Sequence, residues 1–261
     1  RLRARRGVRG GGAMSAAEQP APAAAPHTLA IMQPTFLPWI GYFALADRVD
    51  RFVVLDDVQF DKRSWQQRNK IKTANGPIWL SVPVLTKGRR DQTILEAQIQ
   101  PEARFSETAL KTIEHAYGKA AYFAPVMDRL APAFEASGQG LCALNIALIT
   151  ALCDLMGLKA DLARSSATPV TSTKAQRLAD LCTVHGAARY LSPPGSKDYL
   201  DGDPALERAG VKLAYFNYAH PEWPQLHGAF EPYMSTLDLV MNALPDALAI
   251  LRSGVGEDEP G

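Results

Sequence analysis

Between Ala30 and Phe60 the chain reads AIMQPTFLPWIGYFALADRVDRFVVLDDVQF. The apolar run from Leu29 to Met32 has the length of a buried strand. Gln33-Pro34-Thr35 then turns the chain, and Pro38 suits the first turn of a helix, where its missing N–H costs little. From Trp39 to Val49 the apolar residues Ile40, Phe43, Leu45 and Val49 keep helical spacing. Arg51 to Leu55 is a second β-branched and apolar run, stopped by Asp56 and Asp57. Strand, helix and strand within about 30 residues make a βαβ unit, which requires a parallel sheet and a right-handed crossover. Ligands of such sheets bind beyond the carboxyl ends of the strands. Two polar exits, Gln33-Pro34-Thr35 and Asp56-Asp57-Val58-Gln59, would share one edge. Asp56 and Asp57 also suit plain turn capping, and both readings stand.

The rest of the chain extends this pattern. Ile78 to Val84, Ala188 to Ser192 and Val211 to Tyr218 read as further strands of the sheet, with shorter candidates at 93–99 and 158–165. Residues 103–117, 119–136 and 139–156 carry apolar residues at three- and four-residue spacing, broken by Gly118, Gly138, Gly140 and Gly157. Helices are also expected at about 174–185 and 235–244. The predicted fold class is therefore α/β, a mainly parallel sheet flanked by helices with a helical segment inserted around 103–157. A single domain over 28–250 is expected, followed by a flexible acidic tail at 251–261.

Hydrophobic residues make up 47% and charged residues 21%, the balance of a soluble globular protein. Arg1–Ala13 holds five arginines and no acid, so the formal net charge of +1 hides a mildly acidic remainder with no basic face for nucleic acid. Residues 1–27 are Arg/Gly-rich, then Ala/Pro-rich, and are expected to be disordered. Met14 reads as the true start, with the residues before it an upstream extension. No apolar stretch reaches the roughly 18 residues of a membrane span. Cys142, Cys153 and Cys182 lack CxxC spacing and fall in apolar helical patterns, as buried thiols of a reducing cytoplasm do.

Phe60 to Thr73, FDKRSWQQRNKIKT, is the densest polar stretch. It directly follows the Asp56-Asp57 exit. There Arg63 and Arg68 would offer forks for phosphate, Trp65 a face for a sugar or base, and Asn69 an amide. The alternative is a solvated helix face. Thr171-Ser172-Thr173-Lys174 opens a helix, and Ser172, Thr173 and Lys174 there suit either an anion or ordinary capping. Lys197, Asp198 and Tyr199 lie in a glycine-containing loop at a third strand exit. His115 and His185 read as structural. His220, beside Gln225 and His227 in an aromatic loop, is a candidate general base. No metal signature is present.

Five segments, QPTFLPWIGYF, FVVLDDVQFDKRSWQQRNKIK, KAQRLADLC, YLSPPGSKDYL and HPEWPQLHGAFEPYMSTLDLVMNAL, resemble in order the WbqC-like protein family. The resemblance covers Leu29 to Leu244. It implies bacterial surface-polysaccharide (O-antigen) biosynthesis, and a transferase that acylates or aminoacylates, for example glycylates, a nucleotide-linked amino sugar. A weaker resemblance connects the fold to nucleotidyltransferase (HUP-like) domains. Pro38 to Tyr42 stands where their histidine motif would be, but both histidines are missing. The alternatives are a degenerate ATP-using enzyme, with ATP the one cofactor considered, and a non-catalytic sugar-nucleotide binding protein. The catalytic candidates are Asp56, Asp57 and His220. Gln33, Thr35, Trp39, Tyr42, Arg63, Trp65, Arg68, Asn69, Ser172, Thr173, Lys174, Lys197, Asp198, Tyr199 and Gln225 are the substrate-binding candidates. Gln33, Asp56, Asp57, Arg63, Lys197 and Asp198 are expected to converge on one cleft walled by Trp65 and Tyr199. Neither the sequence nor the resemblance specifies an oligomeric state.

Overall fold

A computed structural model describes residues 28–261 apart from 137, 139 and 169. The tail expected at 1–27 lies outside the described residues. The chain opens with the anticipated unit: β1 (Thr28–Met32), α1 (Ile40–Asp47) and β2 (Arg51–Val54). A hairpin of β3 (Arg68–Thr73) and β4 (Gly76–Ser81) follows. Three helices come next, α2 (Phe105–Tyr117), α3 (Phe123–Ala136) and α4 (Leu141–Met156). The second half runs β5 (Leu162–Arg164), α5 (Lys174–Val184), β6 (Arg189–Ser192), α6 (Lys197–Leu200), α7 (Ala205–Arg208) and β7 (Lys212–Tyr215). It closes with α8 (Thr236–Ala243), α9 (Ala247–Ser253) and β8 (Glu259–Pro260).

The main sheet has the order β5-β2-β1-β6-β7-β8. Its first five strands are parallel and β8 is antiparallel to β7. This is the α/β architecture expected from the βαβ signature. Both faces are covered, as a parallel sheet demands. Ala30, Phe52, Val54 and Leu191 point to one side and pack with α1, α2, α3, α4, α8 and α9. Leu29, Ile31, Val53 and Tyr190 point to the other and pack with α5, α6 and α7. The helical segment 105–156 shares the first of these cores with the sheet, so no separate core begins near residue 100.

Three expectations are corrected. The 78–84 run does not join the parallel sheet. Its first residues form β4, which pairs antiparallel with β3 in a sheet of two strands. The polar RNKIKT stretch makes this possible, because Asn69 and Ile71 alternate inward while Arg68 and Lys70 stay partly exposed. Residues 93–99 make only isolated bridges, Thr93 to Gln59, Gln98 to Gly140 and Ile99 to Val84. Residues 251–261 do not fray. They complete α9 and supply β8, and the carboxylate of Asp258 holds both Arg48 and Arg189.

Candidate functional site: an aromatic cleft where the strand order reverses

β1 is followed in space by β2 on one side and β6 on the other. The two connections leave in opposite directions, and a crevice opens beyond the carboxyl ends of β1 and β6. Two adjoining cavities fill it. One, of about 300 Å³, is lined by Gln33, Thr35, Ser64, Trp65, Pro193 and Tyr199 among others. The second, of about 280 Å³, is lined by Thr35, Trp39, Tyr42, Trp65, Asn69 and Tyr233 together with Met32. Met32, Thr35 and Trp65 belong to both, and of these the large Trp65 ring divides one cleft into two compartments. Trp65, Tyr199 and Tyr233 are 52%, 54% and 59% exposed, unusual values for large rings.

Local sequence builds this cleft. The Phe36 N–H donates to the Trp65 carbonyl at 2.9 Å, tying the loop after β1 to the loop before β3. The Gln66 side-chain amide donates to Gln33 Oε1 at 2.9 Å. Buried Asn145, in an otherwise apolar stretch of α4, donates to the carbonyls of Pro34 and Gln66 at 2.9 and 2.8 Å. Asn69 donates to the Leu37 carbonyl at 2.7 Å. Leu37 and Tyr233 both have positive φ, 44° and 59°, which bulky residues avoid. Each is held there: Leu37 by Asn69, and Tyr233 by its N–H bond to His220 Nε2 at 3.1 Å. Gly41 is needed because a Cβ there would come 2.3 Å from the indole of Trp39, which folds back across the helix start. Among the described residues the Tyr42 hydroxyl is buried without a hydrogen-bond partner, and burial raises its pKa.

The acidic pair at the end of β2 plays a different part from the one expected. Asp56 is fully buried. Its carboxylate accepts from Arg164 Nε at 2.7 Å, from the Ser166 N–H at 3.0 Å and from the Ser166 hydroxyl at 2.9 Å. Burial alone would raise its pKa, but these bonds and the Arg164 charge outweigh it and hold the carboxyl below its ordinary value. The neighbouring Cys142 thiol is pushed up to about 12 by burial and by the Asp56 charge, so it is inert as a nucleophile. Asp57 is 27% exposed at its side chain and pairs with Arg177 of α5 at 2.5 Å. Neither carboxylate lines the cleft.

Other candidates are also placed elsewhere. The Ser172 hydroxyl donates to Asp180. Thr173 makes no side-chain cap bond, and Lys174 has φ 54°. The anion at this end of α5 is the protein's own, since Arg177 donates to Asp57 and to the Val170 and Ser172 carbonyls. Lys197 turns away from the cleft to Glu259 and lies over the Tyr215 ring at 5.0 Å. There it lines a larger groove of about 840 Å³ between α6, α7 and β7, with α6 standing between groove and cleft. That groove has no comparable set of exposed rings. Asp198 is exposed and lines neither cavity of the cleft. Arg63 is exposed at φ 60°, with its N–H bonded to Gln67 Oε1. Gln225 is structural: its amide clamps Glu231 and accepts from buried Lys72. His220 has both ring nitrogens engaged, Nδ1 donating to the Pro221 carbonyl at 2.8 Å and Nε2 accepting from Tyr233. No ring lone pair is left free, and through Nε2 the ring positions the Tyr233 backbone.

Sequence reasoning thus picked out Gln33, Thr35, Trp39, Tyr42, Trp65, Asn69 and Tyr199, which the fold brings to the cleft. It missed Tyr233, Gln66 as the partner of Gln33, Asn145 and Arg177. Asn145 was visible as the lone amide within a long apolar helical run; Tyr233 carried no such signal.

Among the described residues there is no cluster of histidine, cysteine and carboxylate groups that would hold a metal, and no helix long and apolar enough to cross a membrane. No solved structure matches the chain. A protein of Mycobacterium tuberculosis (strain ATCC 25618 / H37Rv), named Uncharacterized protein Rv1507c, is 37% identical over 226 residues, covering 86% of this chain and 97% of its own length. The WbqC-like protein family matches residues 33–250, from Gln33 at the exit of β1 through α8 and into α9. That match takes in both strand exits, the hairpin and the aromatic loop, and on it the chain belongs to the WbqC-like protein family.

Proposed function

We propose that the cleft binds the sugar of a nucleotide-linked amino sugar, and that the protein is a transferase that acylates or aminoacylates it during surface-polysaccharide assembly. The observation that carries this reading is the set of three exposed rings, Trp65, Tyr199 and Tyr233, around Gln33 and Thr35 at the reversal of strand order. Flat apolar faces receive the C–H faces of a sugar ring, and a few amides and hydroxyls fix its polar edge. The family membership agrees with a sugar-related role. Asp56 is fully buried and His220 has both ring nitrogens engaged, so partly exposed Asp57, although it lines neither cavity of the cleft, is the remaining candidate to take a proton from the amine. A second reading, binding without turnover, is favoured by the ion pair that already occupies Asp57. The ATP-using nucleotidyltransferase reading has less support, because its phosphate position at α5 is filled by that same pair.

The test is a thermal-shift screen with UDP- and dTDP-linked amino sugars and ATP. A saturating nucleotide sugar, at about 100 times its Kd, is expected to stabilise the fold by about 2.7 kcal/mol. That corresponds to roughly 5–10 °C in Tm. Trp65→Ala is expected to keep the unliganded melting temperature, since the ring is half exposed, and to lose most of the shift. Absence of any shift with the wild-type protein, or an undiminished shift in Trp65→Ala, would overturn the reading. Mass spectrometry of the amino sugar after incubation with acyl donors separates transfer from binding alone.

A further inference from the structure

The β3–β4 hairpin carries cations that the cleft leaves unused. Lys70 stands opposite Trp79 and Arg68 opposite Ser81 in the antiparallel register, so these four share one face. The face is open: Trp79 is 43% exposed. The Arg68 guanidinium carbon lies 4.3 Å from the centre of the Trp79 ring, and Lys70 Nζ lies 5.4 Å from it. Trp79 is in turn 5.5 Å from Trp65, the ring that divides the cleft. Aromatic surface therefore continues from the cleft onto a doubly cationic patch.

Among the described residues no carboxylate pairs with Arg68 or Lys70, whereas Arg164, Arg177 and Arg189 on the main sheet and α5 each have one. Neither Arg68 nor Lys70 makes a side-chain hydrogen bond to protein among the described residues either. Two like charges on one ring repel, and the indole neutralises neither. An anion would relieve both. Arg68 offers a planar fork that takes two phosphate oxygens, and Lys70 a compact point charge. Two adjacent cations match two linked phosphoryl groups better than they match one carboxylate.

We propose that this hairpin face is a diphosphate subsite. The sugar ring occupies the cleft, the ligand crosses Trp65, and Arg68 and Lys70 hold its diphosphate. The inference rests on the sugar-binding reading of the cleft and adds where the charged carrier lies. The chemistry shared by all such ligands is the diphosphate; the carrier attached to it is a nucleoside or a lipid alcohol.

Calorimetric titration of the full chain tests this, comparing the wild type with the double variant Arg68→Gln/Lys70→Gln. Both side chains are partly exposed and free of buried partners, so the double variant should melt as the wild type does. The probes are uridine diphosphate, inorganic pyrophosphate, UDP-N-acetylglucosamine, geranyl diphosphate and the uncharged methyl glycoside of N-acetylglucosamine. The double variant is expected to weaken uridine diphosphate and pyrophosphate by about tenfold or more, the loss of one or two charge-assisted bonds. Its binding of these anions should also lose salt dependence, while the methyl glycoside binds unchanged. Uridine diphosphate should outcompete geranyl diphosphate; the reverse order would keep the subsite and make the carrier a lipid. Undiminished uridine diphosphate binding by the double variant overturns the proposal, as does a wild type that binds the methyl glycoside but no diphosphate. Failure of the methyl glycoside alone, with pyrophosphate still lost in the double variant, would remove the cleft reading and leave the cationic subsite standing.

Discussion

His220 lies between two indoles, stacked on Trp39 at 6.0 Å and on Trp223 at 5.3 Å, with Tyr233 edge-on at 4.9 Å. Its two hydrogen bonds fix the neutral tautomer with the proton on Nδ1, and burial lowers its pKa below the ordinary 6.5. A protonated Nε2 could not accept from the Tyr233 N–H. Below about pH 6.5 the unfolded chain binds a proton at this ring that the folded chain resists. The stability His220 contributes is therefore complete above that pH and is lost as pH falls through the window beneath it. The melting temperature and the affinity of the cleft are expected to fall together there. His185, whose pKa is also lowered by burial and by Arg51, adds a slope of the same sign. His220→Phe should melt lower at neutral pH but show a shallower pH slope in calorimetry; an unchanged slope would refute the assignment. Asp57 behaves differently. Asp57→Asn leaves the Arg177 guanidinium, 14% exposed, without a carboxylate. A loss of about 1–3 kcal/mol is expected, or roughly 2–12 °C in melting temperature. If the transferase reading holds, turnover per folded molecule also disappears. Retained turnover with lowered stability would make the carboxylate purely structural.

At the scale of elements, the hairpin and the C-terminal strand frame the site. β3 places Lys72 in a buried cage, where Nζ donates to Gln225 Oε1 at 3.0 Å and to the Ala229 carbonyl at 2.5 Å. That clamp, with the Ser235 N–H donating to the Lys70 carbonyl at 2.9 Å, fastens the aromatic loop carrying Tyr233 to the hairpin. β8 closes the far edge of the sheet. Its neighbour Asp258 is almost fully buried and holds Arg48 at 3.1 Å and Arg189 at 2.8 Å. Deleting residues 257–261 exposes the edge of β7 and strands both guanidinium groups. A loss of at least about 2 kcal/mol is expected, because two charge-assisted contacts go together. Differential scanning calorimetry would show it, and hydrogen exchange should report faster opening of Ala214 and Tyr215. A melting temperature equal to that of the full chain would mean that the segment merely rests on the sheet.

For the whole molecule, the sheet order turns scattered polar loops into one cleft. The loop after β1 and the loop after β6 are separated by well over half the chain, yet β1 and β6 are hydrogen-bonded neighbours, with Thr28 opposite Arg189 and Leu29 opposite Tyr190. Gln33 and Tyr199 meet because those strands are parallel and leave the sheet at the same edge. Trp65 reaches the same crevice because the hairpin docks over it, fixed by Asn69, Asn145 and Gln66.

The βαβ unit, the helical stretch 103–157 and the ring-bearing loops were legible in the sequence by themselves. Each is written in local periodicity: alternation or apolar runs for strands, three-to-four spacing for helices, Gly and Pro at the breaks. Gln33, Thr35, Trp39 and Trp65 were legible for the same reason, since they sit at or soon after a predicted strand exit. Which way each long polar side chain turns was decided only by the tertiary structure. Asp56 and Asp57 stand at a strand exit, as read, but Arg164 and Arg177 arrive from more than a hundred residues away and draw both inward. Lys197 follows a strand exit too, yet Glu259 on β8 pulls it to the other side of α6. Local spacing specifies the backbone at an exit. The partner that captures a charged group is chosen by strand order and by where the C-terminal strand docks, and those depend on contacts that no short window of sequence contains.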